Sequence, residues 1–237
     1  VYSDGWLSVI RSSIETNQTS DRGAGILVAG GDATLHNTTV SGNQASVRGG
    51  GIYNRGTTSL THVTVAANSG SAARGAGIYG DSGTITLDRT IVADNLSPNH
   101  PDVAGSGFVS GGYNLIEDTG DVSGWQGTDL LNLDPGLSPL NDYGGLVNTH
   151  AISGGSAAID GAVGSSAVLD ARGVSRFQDG NSDGNFVADI GAYERTTPTD
   201  NVITVTNDSD HVDAPVLTVI GLNSDPAYLG GNRRPAL

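Results

Sequence analysis

Gly49-Gly50-Gly51-Ile52-Tyr53-Asn54 is the stretch whose reading decides the fold, because it recurs. Related stretches are Gly23-Ala24-Gly25-Ile26 and Gly75-Ala76-Gly77-Ile78, and an arginine precedes each of the three: Arg22, Arg48 and Arg74. The step from one arginine to the next is 26 residues both times. A fixed period of this size marks stacked structural repeats, each too small to bury its apolar face alone. A second landmark recurs with successive steps of 26, 25 and 27 residues. Asn17, Asn43, Asn68 and Asn95 each close a short run. A branched apolar residue stands three positions before each (Ile14, Val40, Val65, Val92), and another apolar residue stands eight before (Val9, Leu35, Leu60, Leu87). Asp102-Val103 falls where a further Gly-x-Gly-Ile is due, 25 residues after Ile78.

Within one repeat the pattern reads as three short strands, Gly51-Ile52-Tyr53, Ser59-Leu60-Thr61 and Thr64-Val65-Ala66, punctuated by Gly, Asn, Ser and Arg. Helical periodicity is absent and β-branched residues dominate the apolar positions. Three strands per turn, stacked coil on coil, give an all-β chain: a right-handed parallel β-helix with equivalent residues about 4.8 Å apart. Ile26, Ile52 and Ile78 then form one interior stack, the Val9 series a second and the Ile14 series a third. Asn17, Asn43, Asn68 and Asn95 form a structural ladder in a tight turn, each amide bonding to the next coil. Glycine before the Ile stack permits a sharp bend and a close approach of coils.

Composition narrows the function classes. The chain of 237 residues carries a formal net charge of −14, and all eleven basic residues are arginine. This balance disfavours nucleic acid and anionic membrane as partners. Cysteine is absent, which removes disulfides and thiolate zinc sites. No apolar stretch approaches the roughly 20 residues that span a bilayer. No signal-peptide pattern opens the chain, and Val1 enters a coil already under way, so the expectation is a piece of something longer.

From about residue 106 the period fades into an irregular closing segment. Its motifs, in order, are Gly111-Gly112-Tyr113-Asn114-Leu115-Ile116, Asp134-Pro135-Gly136-Leu137-Ser138-Pro139-Leu140, Tyr143-Gly144-Gly145, Thr149-His150-Ala151-Ile152, Gly155-Ser156-Ala157-Ala158-Ile159-Asp160, Asp170-Ala171-Arg172-Gly173 and Asp189-Ile190-Gly191-Ala192-Tyr193-Glu194. This ordered set resembles the choice-of-anchor Q domain of bacterial surface proteins over roughly residues 20–195, and the repeats resemble the Gly-Gly-x-Ile coils of polymorphic outer-membrane proteins. Tyr143, Ile152, Ala157 and Ala171 depart from the family pattern and remove none of its charged residues. The resemblance implies a right-handed parallel β-helix in a large secreted or surface-displayed protein, often with a variable C-terminal anchor. It supplies no catalytic residue.

Three groups carry candidate chemistry. Asp179-Gly180-Asn181-Ser182-Asp183-Gly184-Asn185 presents side-chain oxygens at alternate positions, as the first half of a calcium loop does. With Asp189 or Glu194 added from the closing strand, Asp179, Asn181, Asp183 and Asn185 would hold one structural Ca²⁺. The plainer reading is a polar turn. Arg22, Arg48 and Arg74 form a strip that would grip the carboxylate or sulfate groups of an acidic polysaccharide, or else splay into solvent. Asp94 and Asp102, near His100, are paired carboxylates of the kind a glycosidase or lyase uses, or ordinary loop residues. His150 reads as a packed hydrogen bonder.

The domain reading is a β-helix over 1–195, then a linker and the truncated start of a following module, or a tail docking on a neighbouring copy, over 196–237. The expected function is a non-enzymatic extracellular or cell-surface module: stalk, adhesin or matrix segment. The alternative is a polysaccharide-active enzyme or a glycan-binding module, which rests on fold analogy alone.

Overall fold

The computed structural model describes residues 1–70 and 74–196. Val1–Arg195 forms one compact unit. The readings of a linker and a docking tail fall almost wholly on 197–237, outside the described residues.

The chain winds into a parallel β-helix. Its first coil holds β1 (Tyr2–Ser3), β2 (Trp6–Ile10), β3 (Ser13–Glu15) and β4 (Gln18–Thr19). The second holds β5 (Ile26–Val28), β6 (Asp32–His36), β7 (Thr39–Ser41) and β8 (Gln44–Ala45). The third holds β9 (Ile52–Asn54), β10 (Thr57–Thr61), β11 (Thr64–Ala66) and β12 (Ser69–Gly70). The fourth holds β13 (Ile78–Gly80), β14 (Thr84–Asp88) and β15 (Ile91–Ala93). Strand pairing then runs on past residue 106, through β16 (Val103–Gly105), β17 (Phe108–Gly112), β18 (Leu115–Ile116) and β19 (Leu130–Leu131). The strands stack into three long sheets, in the orders β1-β5-β9-β13-β16, β17-β14-β10-β6-β2 and β19-β18-β15-β11-β7-β3, with a small fourth of β12-β8-β4. Among the described residues there is no helix, and so none long and apolar enough to cross a membrane.

Register follows the sequence repeat. Ile26, Ile52, Ile78 and Val103 are successive partners. Val9, Leu35, Leu60 and Leu87 form the second stack, and Ile14, Val40, Val65, Val92 and Ile116 the third. These residues fill the helix interior as one core. Two glycines of each Gly-x-Gly-Ile have different duties. Gly23, Gly49 and Gly75 take positive φ near 60° (63°, 59° and 60°) at a corner, where a Cβ is disfavoured. At Gly51 a Cβ would lie 2.6 Å from the carbonyl oxygen of Gly77 and 3.0 Å from the Asn68 amide nitrogen. Glycine there makes room both for the ladder asparagine of its own coil and for the backbone carbonyl of the next.

The closing segment does not simply lengthen the rod. It folds back along the outer face of the third sheet. Ile152, Ala158, Ile159, Ala162, Ala188 and Ile190 form a second core with Ile91, Ala93 and Leu115. Ala192 N–H donates to Thr64 Oγ1 at 2.9 Å, and Gly191 N–H to the Arg89 carbonyl at 2.9 Å. The third sheet is therefore buried on both faces, which explains its unbroken apolar and small residues, Thr64-Val65-Ala66 and Ile91-Val92-Ala93.

Candidate functional site

The asparagine ladder leads to an open cleft of about 630 Å³. In each coil the ladder asparagine donates both its backbone N–H and its Nδ2 to Oδ1 of the next: Asn17 to Asn43 (3.0 and 2.8 Å), Asn43 to Asn68 (3.0 and 2.9 Å) and Asn68 to Asn95 (both 2.9 Å). The last member is not an asparagine. Asn95 donates through N and Nδ2 to Asp102 Oδ1 at 3.3 and 2.8 Å. Asp102 Oδ2 accepts the Asp118 amide at 2.8 Å. Asp94, Asp102, Glu117, Asp118 and Asn132 line the cleft beside this terminus.

Burial pushes the Asp102 carboxyl up to about 7, against the pull of the hydrogen bonds it accepts from Asn95 and Asp118. Burial also raises Asp94, helped by the charge of Asp134. Such shifts occur at acid–base sites, but the geometry here binds the Asp102 carboxyl to the scaffold, while Asp94 is exposed. Both Asp102 oxygens accept amides, and Glu117 Oε2 accepts the Asp94 backbone N–H at 2.7 Å.

The arginines stand in register, with Arg22 bridging Arg48 and Arg48 bridging Arg74 through the backbone. Their side chains rest on the neighbouring coils. The Arg22 guanidinium lies 5.4 Å from the Tyr53 ring centre and that of Arg48 lies 4.7 Å from Tyr79, with Arg48 NH1 donating to the Tyr79 hydroxyl at 2.9 Å. Arg74 pairs with Asp121 at 3.4 Å. Tyr53 and Tyr79 stack at 5.6 Å. Arg22 also pairs with Asp21 at 3.6 Å, so repulsion along the strip is offset by aromatic faces and two carboxylates.

In the acidic loop, Asp160, Asp179 and Asp183 each offer an oxygen, all within 4.8 Å of one another. Asp160 was not singled out by the sequence; it sits in the Ala158-Ile159-Asp160 motif and reaches the loop by accepting the amides of Gly180 and Asn181. Asn181 Oδ1 accepts the Asp183 amide, and Asp183 Oδ1 accepts that of Asn185. Asp189 stands apart from this trio. It is fully buried, and its two oxygens accept the backbone N–H groups of Asp160 and Arg195. Glu194 also points inward, where its Oε2 takes Arg176 NH1 at 3.2 Å and the Asp189 amide at 2.8 Å.

Sequence reasoning missed this buried charged group because its members look like surface residues. Arg176 has no exposed surface. It donates to Asn37 Oδ1 at 2.7 Å, and to the carbonyls of Gly191 (2.7 Å) and Asp189 (3.1 Å). Arg172 pairs with buried Asp170 at 2.8 Å and covers the Tyr193 ring at 3.8 Å. Histidines tie the same seam. His62 Nε2 meets Ser165 Oγ at 2.7 Å, and His150 Nε2 meets Ser41 Oγ at 2.8 Å. Burial, then the Arg176 charge, push the His62 pKa down to about 2. The His62–Ser165 contact ties the closing segment to the third coil.

Comparison of the chain with protein-family models, curated proteins and solved structures finds no match in any of the three.

Proposed function

We propose that this chain is a non-enzymatic structural module of an extracellular or cell-surface protein, a stiff segment of a stalk, adhesin or matrix. One observation carries the reading. Of the four carboxylates lining this cleft, Asp102, Glu117 and Asp118 accept amide N–H groups that terminate the ladder and tie neighbouring turns, while Asp94 is exposed. Continuous parallel sheets through five coils add support, since stacked repeats make a rod with a repeated surface. The ordered closing motifs support kinship with choice-of-anchor Q surface proteins, and the cell-surface location follows from that resemblance. The test is incubation with acidic and neutral polysaccharides, scoring chain cleavage and binding separately. No cleavage is expected. Cleavage abolished by Asp102→Asn would overturn the reading in favour of a polysaccharide-active enzyme. Binding without cleavage, lost when Arg22, Arg48 and Arg74 are all changed to Gln, would make the module an adhesive one.

A second reading concerns calcium, and the convergence of Asp160, Asp179 and Asp183 favours it. These three carboxylates would hold one Ca²⁺ that staples the loop to the Asp160 turn. Millimolar Ca²⁺ is expected to raise the melting temperature over a chelator control, and Asp160→Asn to remove the rise. An identical melting temperature with calcium and with chelator would sink this assignment.

A further inference from the structure

A second cavity, of about 150 Å³, is lined by His36, Thr61, Asp88 and Arg89 from the coils and by Ser165 and Ser166 from the closing segment. The repeat puts three of these in a row. His36, Thr61 and Asp88 end β6, β10 and β14 and are register partners, so they stand about 4.8 Å apart across the sheet. They alternate with Leu35, Leu60 and Leu87 of the core, so all three side chains point outward. The closing segment supplies the opposite wall. His62 Nε2 meets Ser165 Oγ at 2.7 Å, and Arg89 NH2 donates to the Val163 carbonyl at 2.8 Å, which fixes residues 163–166 beside that row.

Most of the polar groups here are unspent. Neither ring nitrogen of His36 has a hydrogen-bond partner among the described residues, and nor do the side-chain hydroxyls of Thr61 and Ser166. Asp88 Oδ1 accepts Arg89 NH1 at 2.6 Å, while Asp88 Oδ2 accepts from no group among the described residues. Arg89 NH1 and NH2 spend one N–H each, on Asp88 and on the Val163 carbonyl, and each keeps a second. His36, Thr61 and Asp88 are half-buried, so water serves them only in part. Charge is balanced as well. Asp88 and Arg89 neutralise each other. Burial, then the Arg176 charge, hold the His36 pKa below its ordinary 6.5 against the pull of Asp88, so at pH 7 the imidazole is neutral, with one donor and one acceptor nitrogen. A ligand for this pocket is therefore uncharged, and it both gives and takes hydrogen bonds at neighbouring atoms. Adjacent hydroxyls of a sugar ring do this. A sulfate or phosphate would face Asp88, and an ammonium group would face Arg89.

We infer that this pocket binds one neutral sugar residue, with vicinal hydroxyls bridging Asp88 Oδ2 and the Arg89 guanidinium and others reaching His36, Thr61 and Ser166. Its volume lies below the roughly 300–1,000 Å³ of ordinary ligand clefts, so the ligand is a chain end or a side branch rather than a run of polymer. The pocket shares no residue with the strip of Arg22, Arg48 and Arg74, and the inference does not depend on the functional reading above.

The test is an NMR titration of the chain with glucose, galactose, mannose and N-acetylglucosamine, with glucuronate and glucosamine as charged comparators. The His36 ring protons and the Ser165, Ser166 and Ala167 amides are the reporters. At least one neutral sugar is expected to shift them saturably, at millimolar concentration. Asp88→Asn is expected to weaken that sugar by about tenfold and to improve glucuronate, because Arg89 is then unopposed. Ser166→Ala removes a hydroxyl that bonds nothing in the fold, and is expected to weaken the sugar by about threefold to tenfold. No saturable shift with any of the neutral sugars at about 100 mM overturns the inference. Shifts that saturate only with a charged comparator, or only at residues outside the pocket, also overturn it. So does an affinity unchanged in both variants. Should Asp88→Asn lose the native amide spectrum, Ser166→Ala decides alone: weaker binding supports the inference, and unchanged binding overturns it.

Discussion

Asn68 shows how much one side chain does in this fold. Its Oδ1 accepts two donors from Asn43, and its Nδ2 donates to Asn95 Oδ1 and to the carbonyls of Val40 and Ala66. All of these groups are shut off from water, so none can be re-satisfied if the amide is removed. Asn68→Ala is expected to cost about 3 kcal/mol or more, since each stranded buried polar group costs about 1–3 kcal/mol. Asn17→Ala, at the exposed end, is expected to cost less than about 1 kcal/mol. Urea denaturation of the two variants checks the contrast, and equal losses would show that the ladder is not cooperative along its length. The sequence placed these asparagines in one column through their spacing alone. It offered no hint that Asp102 completes the column, because Asp102 lies seven residues from Asn95 rather than one coil away.

At the scale of elements, the closing segment is held to the coils by buried charge. Arg176 joins Asn37 of the second coil to Glu194 and to the backbone at Gly191. Replacing one member of a fully buried pair leaves the other uncompensated, at a typical cost of about 3–5 kcal/mol. Arg176→Met is expected to lose stability in that range and to free the closing segment, read as faster amide exchange at Ala188–Ala192 while β9–β11 stay protected. Uniform loss of protection instead would mean that coils and closing segment unfold as one unit. The motif order of the closing segment was legible in the sequence. Its position on the flank of the third sheet was not, because nothing local distinguishes an outward Ser41, Ala66 or Ala93 that faces water from one that is covered. Small side chains at those outward positions were the one available clue.

At the scale of the molecule, the buried titratable groups give the fold a pH profile. Asp102 releases its proton at about 7 in the fold and at 3.8 ordinarily, and Asp189 behaves alike. Between those values the fold holds protons that the unfolded chain has lost, so stability falls as the pH rises towards 7 and beyond. His62 acts oppositely. It stays neutral down to about 2 in the fold against 6.5 ordinarily, so stability falls as the pH drops below 6.5. The two effects oppose each other below 6.5. Above it the histidines are neutral in both states and the carboxylates act alone. Stability is expected to decline from pH 6.5 to 8, and Asp102→Asn to flatten that limb. Thermal melts across this range check it, and a rising limb would refute the assignment of protonated buried carboxylates.

What the sequence determined by itself was the winding of the chain. A 26-residue step in arginine, glycine and isoleucine, kept within one residue by asparagine, demands that equivalent residues stack, because each coil makes the same hydrogen bonds and the same apolar contacts as its neighbour. Periodicity is a local property repeated, and it can be read without coordinates. What only the tertiary structure decided was everything aperiodic: Asp102 as the end of the ladder, Asp160 beside the acidic loop, the inward turn of Asp189 and Glu194, and Arg176 sealed beneath the closing segment. Those contacts join residues at unrelated separations, and for a charged side chain the choice between water and a buried partner is made by what the rest of the chain places next to it.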